Sequence, residues 1–293
     1  MATIIGGNGS NSIYGTGGND LILFGSGRSK VESRSGDDTI WGGNGSHTVK
    51  GGSGDDEIHL GNGSMSVSGG AGDDSIWVGV GNSTVDGGSG NDIIYAGDSH
   101  LLGHGDDHHG GHHDGRHGRD GHDNRRDDDH GHGRDRHDGD DHGHGKDGRG
   151  KHHDDDHGGG HDKDGYSILH GGAGDDVIYG GSGDARLFGD AGNDRLVDGT
   201  GDATLIGGSG EDVFVFGDNS GHDVIADFSM ANDRLEIQSG VNGLNIHSAE
   251  DLIPYISQHG GSTVITLGNN SIKLVGVDAQ DLIDHIAAKV VIS

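Results

Sequence analysis

Aspartate recurs at intervals of 18 residues along this chain, a spacing that could build a row of metal ligands. The residues that keep this interval form two runs: Asp20, Asp38, Asp56, Asp74 and Asp92, then Asp176, Asp194 and Asp212. A second oxygen-bearing side chain precedes each of them: Asn19, Asp37, Asp55, Asp73, Asn91, Asp175, Asn193 and Glu211. Carboxylates stacked about 4.8 Å apart would repel one another unless cations lay between them. The row therefore predicts cation sites rather than a solvated run of charge.

Glycine-rich turns lead up to each aspartate, as in the unit Gly51-Gly52-Ser53-Gly54-Asp55-Asp56-Glu57-Ile58-His59. Glycine allows a positive φ and lets the backbone approach an ion closely. Calcium takes about six to eight oxygen ligands, and backbone carbonyls of such turns could complete the set begun by the carboxylates. The glycines predicted to support ion binding are Gly36, Gly52, Gly54, Gly70, Gly72, Gly88, Gly90, Gly172, Gly174, Gly192, Gly208 and Gly210.

The element that must position these turns is a short strand that carries one apolar residue in every nine. The series runs Ile4, Ile13, Ile22, Val31, Ile40, Val49, Ile58, Val67, Ile76, Val85, Ile94, and then Leu169, Ile178, Leu187, Leu196, Leu205, Phe214. A short fixed period is typical of a solenoid. We predict an all-β fold, a parallel β-roll with 18 residues and two strands per turn and about eight turns. Its core would be a thin ladder, with one inward side chain per unit.

The repeated pattern G-G-x-G-x-D-x-U-x resembles the calcium-binding nonapeptide repeat of the RTX (hemolysin-type) family. The resemblance covers residues 1–97 and about 164–217. It implies a β-roll that binds calcium between turns, and in this family both edges usually bind it. Here the alternate units lack the aspartate and carry Asn11, Ser29, His47, Met65, Ser83, Ser167, Ala185 and Ala203 instead. We therefore predict one row of about seven or more Ca²⁺ ions, with the other edge closed mainly by hydrogen bonds.

Residues 98–163 interrupt the period, which returns in phase when they are removed. The segment contains 17 His, 18 Asp and 17 Gly. It has too little apolar surface to offset its ordering entropy, so we predict a disordered loop that leaves from the aspartate-free edge. Imidazole suits Zn²⁺, Ni²⁺ and Cu²⁺; the paired candidates are His108, His109, His112, His113, His152 and His153. The alternative is a hydrophilic spacer with no specific ligand.

Composition narrows the classes of function. The formal net charge is −30 and there is no cysteine, which excludes disulfides, zinc–thiolate sites and a cysteine nucleophile. Repulsion among the negative charges opposes compaction of the chain until cations bind. There is no basic stripe for nucleic acid and no apolar stretch of the length of a membrane span.

Residues 218–293 leave the repeat and are predicted to form a small mixed β/α cap. Strands are expected at 234–237, 263–267 and 271–275, and a final helix after Asp278. The carboxylates that could bind a terminal ion or cap the last loops are Asp218, Asp223, Asp227 and Asp233.

The segment from Asp223 to Phe228 resembles the D-x-I-x-D-F sequence that closes RTX rolls in serralysin-type secreted proteases. The ending Val290-Val291-Ile292-Ser293 resembles the uncleaved C-terminal signal of type I secretion. This resemblance implies the type I secretion apparatus as a partner and a location outside a Gram-negative cell. The N-terminal residues show no cleavable signal peptide, in keeping with this route.

No H-E-x-x-H or G-x-S-x-G motif is present. We therefore predict a non-enzymatic secreted protein that folds on extracellular calcium and has a structural or adhesive role, with cell-surface polysaccharide or matrix as a partner. One alternative is sequestration of transition metals by the histidine-rich loop. Another is an effector that acts on host membranes.

One outer face of the predicted roll carries an aromatic series. The residue after the inward position in the aspartate-containing units is Leu23, Trp41, His59, Trp77, Tyr95 and Tyr179. These side chains should stack one strand apart, either as a ladder that stiffens the sheet or as a flat stripe for sugars or a partner protein.

Overall fold

The computed structural model describes residues 1–97 and 165–293, which form two facing β-sheets. The first sheet has 11 strands, in the spatial order β1 (Thr3–Ile5), β3 (Leu21–Phe24), β5 (Thr39–Gly42), β7 (Glu57–Leu60), β9 (Ser75–Val78), β11 (Ile93–Ala96), β13 (Val177–Tyr179), β15 (Arg195–Val197), β17 (Val213–Phe216), β19 (Arg234–Ile237) and β23 (Val290–Ile292). The second has 12, in the order β2 (Gly9–Tyr14), β4 (Gly27–Ser35), β6 (Thr48–Ser53), β8 (Ser66–Ala71), β10 (Thr84–Ser89), β12 (Tyr166–Ala173), β14 (Asp184–Ala191), β16 (Ala203–Ser209), β18 (His222–Ile225), β22 (Asn270–Val275), β21 (Ser262–Leu267) and β20 (Ile256–His259).

Successive strands alternate between the two sheets, and strands two apart pair in parallel, so the chain winds as a β-solenoid. Ile58 lies opposite Ile40 on one side and Ile76 on the other, which is the 18-residue register that the sequence predicts. The predicted parallel β-roll is therefore confirmed. It has about nine turns rather than about eight, because β18 and β19 continue the parallel pairing beyond residue 217.

The inward ladder predicted from the nine-residue period forms the core, and Ile22, Ile58 and Phe214 are fully buried. The expectation of one inward residue per unit was too low. In the first sheet a second apolar side chain, two residues further on, is also buried, as Leu60 and Phe216 show. Side chains alternate between the faces of a strand, so positions two apart share the inward face.

The roll is continuous across the insertion. Strand β10 pairs directly with β12, and Val85 lies opposite Leu169. The predicted disordered loop at 98–163 and its six candidate histidines lie outside the described residues.

Beyond β19 the chain forms the mixed β/α cap. Strands β20, β21 and β22 make an antiparallel meander whose last strand pairs in parallel with β18. A 3₁₀ segment spans Ala249–Tyr255, and two short helices follow, α1 (Ala279–Asp284) and α2 (Ile286–Lys289). The Asp278 carboxylate caps α1 by accepting hydrogen bonds from the Gln280 and Asp281 N–H groups. Within the described ranges, no helix has the length and apolar character needed to cross a membrane.

Five rings stack in a continuous column on the outer face of the first sheet. The centroid separations are 4.0 Å for Trp41–His59, 4.2 Å for His59–Trp77, 5.7 Å for Trp77–Tyr95 and 4.2 Å for Tyr95–Tyr179, and the ring planes lie within 13° of parallel. Each inner ring has both faces covered by its neighbours. This arrangement favours the ladder interpretation over a sugar-binding stripe, because stacking on a sugar requires an open ring face.

We expect the stack to contribute to stability. His59→Ala removes the ring between Trp41 and Trp77 and should lower the free energy of unfolding by about 1–2 kcal/mol, since two stacked contacts are lost. The measurement is the denaturant midpoint of the calcium-loaded protein. Lys50→Ala, at an exposed outward position of the second sheet, is the control and should leave the midpoint in place. An equal midpoint for both variants would contradict the prediction.

Candidate metal centre

The aspartates at 18-residue intervals point into the roll. Asp56, Ile58 and Leu60 alternate with outward residues along the start of β7 and therefore share its inward face. Asp56 is only 2% exposed. The same burial, between 0 and 2% exposed, applies to all members of what we call the aspartate column: Asp20, Asp38, Asp56, Asp74, Asp92, Asp176, Asp194 and Asp212.

One oxygen of each column carboxylate is satisfied by the neighbouring turn. The N–H of Asp38 donates to Asp56 Oδ1 and the N–H of Asp56 donates to Asp74 Oδ1, both at 2.8 Å. The column crosses the insertion without a break, since the N–H of Asp92 donates to Asp176 Oδ1 at 2.6 Å. Each aspartate thus links two turns through its backbone and its side chain.

In most of the column the second carboxylate oxygen has no such partner; Asp20 differs, since its Oδ2 accepts hydrogen bonds from the N–H and hydroxyl of Thr16. Oδ2 is buried without a hydrogen bond in Asp38, Asp56, Asp74, Asp92, Asp176 and Asp194. A buried charged oxygen without a partner is costly, and native structures seldom leave one. This orphaned row therefore requires a compensating cation or proton.

The oxygens close to the neighbouring glycines are of the kind that bind a hard cation. A Cβ placed on Gly51 would lie 2.3 Å from Asp56 Oδ2 and 2.6 Å from the Gly69 carbonyl oxygen. One turn further, a Cβ on Gly69 would lie 2.2 Å from Asp74 Oδ2 and 2.6 Å from the Gly87 carbonyl oxygen. A side chain at either position would collide with these oxygens, so glycine is needed there, and the oxygens are the hard donors that calcium prefers.

Such a site would depend on the backbone as much as on side chains. In residues 1–97 and 165–293, no group of three or more His, Asp or Glu side chains converges as a closed metal site would. Carboxylates from adjacent turns would need carbonyl oxygens to complete a calcium shell.

The turns have the backbone conformation that the sequence predicts. All twelve glycines named above as supporting residues have a positive φ. Two other residues occupy the same register with the same conformation: Arg34, opposite Gly52, has a φ of 88°, and Asp190, opposite Gly172, has a φ of 74°. Positive φ at this position is therefore imposed by the roll, and glycine adopts it without strain.

Burial makes the ionised form of the column unfavourable. It raises the pKa of Asp56, Asp74 and Asp176 to about 7 from an ordinary value of 3.8, although the backbone hydrogen bonds lower it. Neighbouring carboxylates in the column raise it further. Bare anions are thus the least favourable state of this edge.

The residues that precede the column form a second row of hydrogen bonds between turns. Their side chains lie at the surface, and the hydrogen bonds run in the opposite direction. Asp37 Oδ1 accepts from the N–H of Asp55 at 3.1 Å, and Asp55 Oδ1 accepts from the N–H of Asp73 at 2.9 Å. The two rows together satisfy consecutive backbone donors of each turn.

On the opposite edge mainly neutral side chains accept the hydrogen bonds between turns, and the exposed Asp184 and Asp202 do so near the cap. Asn44 Oδ1 accepts from the N–H of Asn62 at 2.8 Å, and Asn62 Oδ1 accepts from the N–H of Val80 at 3.0 Å. The ring nitrogen Nδ1 of His47 accepts from the N–H of Ser29 at 3.1 Å. Hydrogen bonds hold the turns together here, as the sequence predicts.

The four cap aspartates are placed differently from one another. Asp233 accepts from the N–H of Asp212 at 3.2 Å and so follows the column, and Asp223 accepts from the N–H of Ala203 on the opposite edge. Asp227 accepts from the N–H groups of residues 207 and 208, and Asp218 from that of residue 242. Each therefore satisfies backbone donors where the repeat ends.

The column predicts how acid affects the ion-free roll. The folded pKa of about 7 for Asp56, Asp74 and Asp176 exceeds the unfolded value of 3.8, so between those values the folded state binds more protons. Stability without calcium should therefore rise as pH falls through 7 and decline as pH rises. In excess chelator, circular dichroism should show more β-structure at pH 5 than at pH 8.

The control is the triple variant in which Asp56, Asp74 and Asp176 are each replaced by asparagine. It cannot take up these protons, so its signal should change less between the two pH values. If the wild-type chain in chelator gave the same spectrum at pH 5 and pH 8, burial of the column would not govern its stability.

The solved structures similar to this chain include a subunit of an epimerase and a lipase. The AlgE6R3 subunit of the mannuronan C5-epimerase from Azotobacter vinelandii is 29% identical, with a TM-score of 0.33, over 44% of this chain and 78% of that one. The extracellular lipase LipA from Serratia marcescens is 20% identical, with a TM-score of 0.27, over 96% of this chain and 40% of that one. The chain thus spans less than half the length of that lipase. A comparison with curated proteins gave no match.

A family model describes the repeats directly. The model of the RTX calcium-binding nonapeptide repeat matches residues 3–31, 33–64, 68–100, 158–187, 167–196 and 188–225. These matches include every member of the aspartate column. Since they cover more than half of the 293 residues, the chain belongs to the RTX calcium-binding nonapeptide repeat family.

Proposed function

We propose that this protein folds around a single row of calcium ions along the aspartate column and acts outside the cell as a structural or adhesive protein. The observation that carries the proposal is the row of buried Oδ2 atoms without hydrogen-bond partners. In the proposed sites each ion binds carboxylate oxygens of the column together with carbonyl oxygens of the glycine turns. Asp56 Oδ2 and the Gly69 carbonyl oxygen are an example of such a pair, because both lie close to Gly51.

The charge of the chain supports folding that depends on cations. Outside residues 98–163 there are 31 acidic and nine basic residues, a formal net charge of −22. About seven divalent ions, one between each pair of neighbouring column members, would neutralise most of it. Without them the turns would stack negative charge on negative charge, so ion binding and folding should be one process.

Calcium dependence suggests where the roll folds. Extracellular calcium modules bind in the range of about 10⁻⁴–10⁻³ M, far above the calcium concentration of a cell interior. A chain with this affinity would remain unfolded during synthesis and fold after export. The resemblance of residues 223–228 to the closing segment of secreted RTX proteins supports the type I secretion apparatus as the exporting partner.

A structural role is favoured by the way the roll is built. The aspartates join successive coils of the roll by hydrogen bonds, and the aromatic rings stack on one another. Both features serve to stabilise the roll. We propose a non-catalytic surface, with cell-surface polysaccharide or matrix as the partner. Adhesion of calcium-loaded protein to cells or to isolated polysaccharide tests this role, and turnover of a polymer or ester by the refolded protein would contradict it.

The decisive test of the ion sites is a calcium titration followed by circular dichroism. Wild-type protein should change cooperatively from coil to β-structure at sub-millimolar to millimolar calcium. The double variant Asp56→Ala with Asp74→Ala should shift the midpoint to at least tenfold higher calcium or abolish the transition, because it removes adjacent ligands. Magnesium should not substitute, given its stricter octahedral geometry.

The matched control is Asn44→Ala with Asn62→Ala, which removes two adjacent side chains from the opposite edge. It weakens hydrogen bonds between turns but leaves the column intact, so calcium should still drive folding with a smaller shift. Equal order in chelator and in calcium for the wild-type chain would refute the proposal.

The histidine-rich insertion supports a second candidate function, binding of Zn²⁺, Ni²⁺ or Cu²⁺. The insertion contains 17 histidines, and histidine-rich segments commonly bind these metals. Because β10 and β12 pair in register across the insertion, deletion of residues 98–163 should leave calcium-dependent folding in place. The deletion variant should lose most zinc binding in equilibrium dialysis. Unchanged zinc binding would exclude the insertion as the site.

A further inference from the structure

A patch of positive charge lies on the outer face of the second sheet, at the first turns of the roll. Strand β4 points Arg28, Lys30 and Arg34 outward, and the adjacent strand β6 adds Lys50. All four residues are exposed, because outward and buried residues alternate along both strands. We call these four residues the basic patch. Four of the nine Lys and Arg residues outside 98–163 are thus gathered on two neighbouring strands.

The charge of the basic patch is opposite in sign to that of the chain as a whole. Glu32 is the one acidic residue on strands β2, β4, β6 and β8, and its Oε1 lies 2.8 Å from Lys30 Nζ. Four basic residues and one acidic residue give these strands a net charge of +3. The residues outside 98–163 together have a formal net charge of −22. A local reversal of sign of this kind attracts anionic partners.

The side chains beside the basic patch suit a partner that carries hydroxyl groups. Three exposed hydroxyl residues lie next to the cations in the strand register: Ser10, Ser12 and Thr48. A hydroxyl can both donate and accept a hydrogen bond, as the hydroxyls of a sugar require. Tyr14 is 50% exposed at the border of the patch, and the guanidinium carbon of Arg34 lies 5.9 Å from the centre of its ring.

An acidic polysaccharide matches this combination of groups. Its carboxylate or sulfate groups would pair with the Arg and Lys side chains, and a guanidinium group binds such anions through two parallel hydrogen bonds. From Arg28 to Arg34 the strand extends about 20 Å, which is long enough for several sugar units. A single exposed ion pair is weak. A polymer that makes several such contacts at once is therefore a better partner than a small anion.

Other polyanions fit the basic patch less well. Nucleic acid is bound through an extended basic stripe or face, whereas this patch is limited to two strands. Binding to a lipid surface requires exposed apolar groups next to the basic ones. On the described strands β2, β4, β6 and β8, Tyr14 is the one large apolar side chain that is exposed.

We propose that the basic patch binds an acidic polysaccharide, one that carries carboxylate or sulfate groups along its chain. This inference rests on the proposed adhesive function and specifies the charge of its polysaccharide partner. Binding should require calcium, because Ser12, Lys30 and Thr48 come from successive turns 18 residues apart and only the folded roll brings them together.

Surface plasmon resonance of the calcium-loaded full chain on immobilised polygalacturonate, dextran sulfate and uncharged dextran tests the proposal. The first two polymers separate carboxylate from sulfate as the anionic group, and dextran is the neutral control. The wild-type chain should bind at least one acidic polymer and not dextran, and binding should weaken as salt rises, because the charges are exposed. Binding to neither acidic polymer would overturn the proposal. So would tighter binding to duplex DNA or to phosphatidylserine vesicles.

Substitutions of opposite sign test whether the patch itself is the binding site. Arg28→Gln with Lys50→Gln removes two cations and should weaken binding about tenfold. Glu32→Gln removes the one acidic group and should strengthen binding about threefold. Lys273→Gln is the matched control, since this exposed lysine lies on β22 at the far end of the same sheet, and it should keep the wild-type affinity. Unchanged binding by the double variant would overturn the proposal, because calcium ions would then bridge protein and polymer.

Circular dichroism in calcium establishes that every variant is folded. Failure of the patch differs from failure of the proposed function. In the first case the wild-type chain folds on calcium and adheres to cells, but it does so through uncharged polysaccharide or independently of the four cations. In the second case the wild-type chain is equally ordered in chelator, or it adheres to no cell, whatever its affinity for the acidic polymers.

Discussion

Burial of one carboxylate per turn is the constraint on which this structure depends. The alternation of a strand places each column aspartate on the inward side of the roll, next to the isoleucine ladder. One oxygen is satisfied by a backbone N–H of the neighbouring turn, and in six of the eight column members the other is buried without a partner among the described residues. The roll therefore closes its own backbone hydrogen bonds but leaves a row of negative charge that only a bound cation or proton can neutralise. Folding and ion binding are linked through that row.

The two edges of the roll use different side chains to satisfy the backbone N–H groups of their turns. Every edge of a solenoid must satisfy the N–H groups of tight turns that a sheet ladder does not reach. On one edge asparagine amides do this in most turns, with the exposed Asp184 and Asp202 near the cap, and on the other carboxylates do it at the cost of buried charge. One edge is therefore closed by hydrogen bonds alone, whereas the other needs a bound cation or proton to neutralise its carboxylates. Asp223 is a buried carboxylate on the other edge, where the roll meets the cap, and its Oδ1 accepts from the Ala203 N–H.

The ends of the roll need their own stabilisation. A solenoid exposes an open sheet edge at each terminus unless another element covers it. Here the cap continues both sheets: β23 extends the first in parallel, and the β20–β22 meander turns the second antiparallel. Between the ends, the aromatic stack adds contacts of the same kind from turn to turn. The molecule thus combines repeated nearest-neighbour contacts with a single non-repeating terminus.

The sequence by itself determined the solenoid, its register and the positions of the aspartate column. Repetition makes this possible, because each unit meets the same neighbours 18 residues away and a pattern read in one unit holds in all. The positive φ of the glycines followed for the same reason. Tertiary structure alone decided which carboxylate oxygen is satisfied, because that depends on the direction in which a backbone N–H of the next turn points. It also decided the place of β23, which pairs with β19. Ala203 and Asp223 are 20 residues apart instead of 18, so the period fails at the last turn, and only the folded chain brings those groups together.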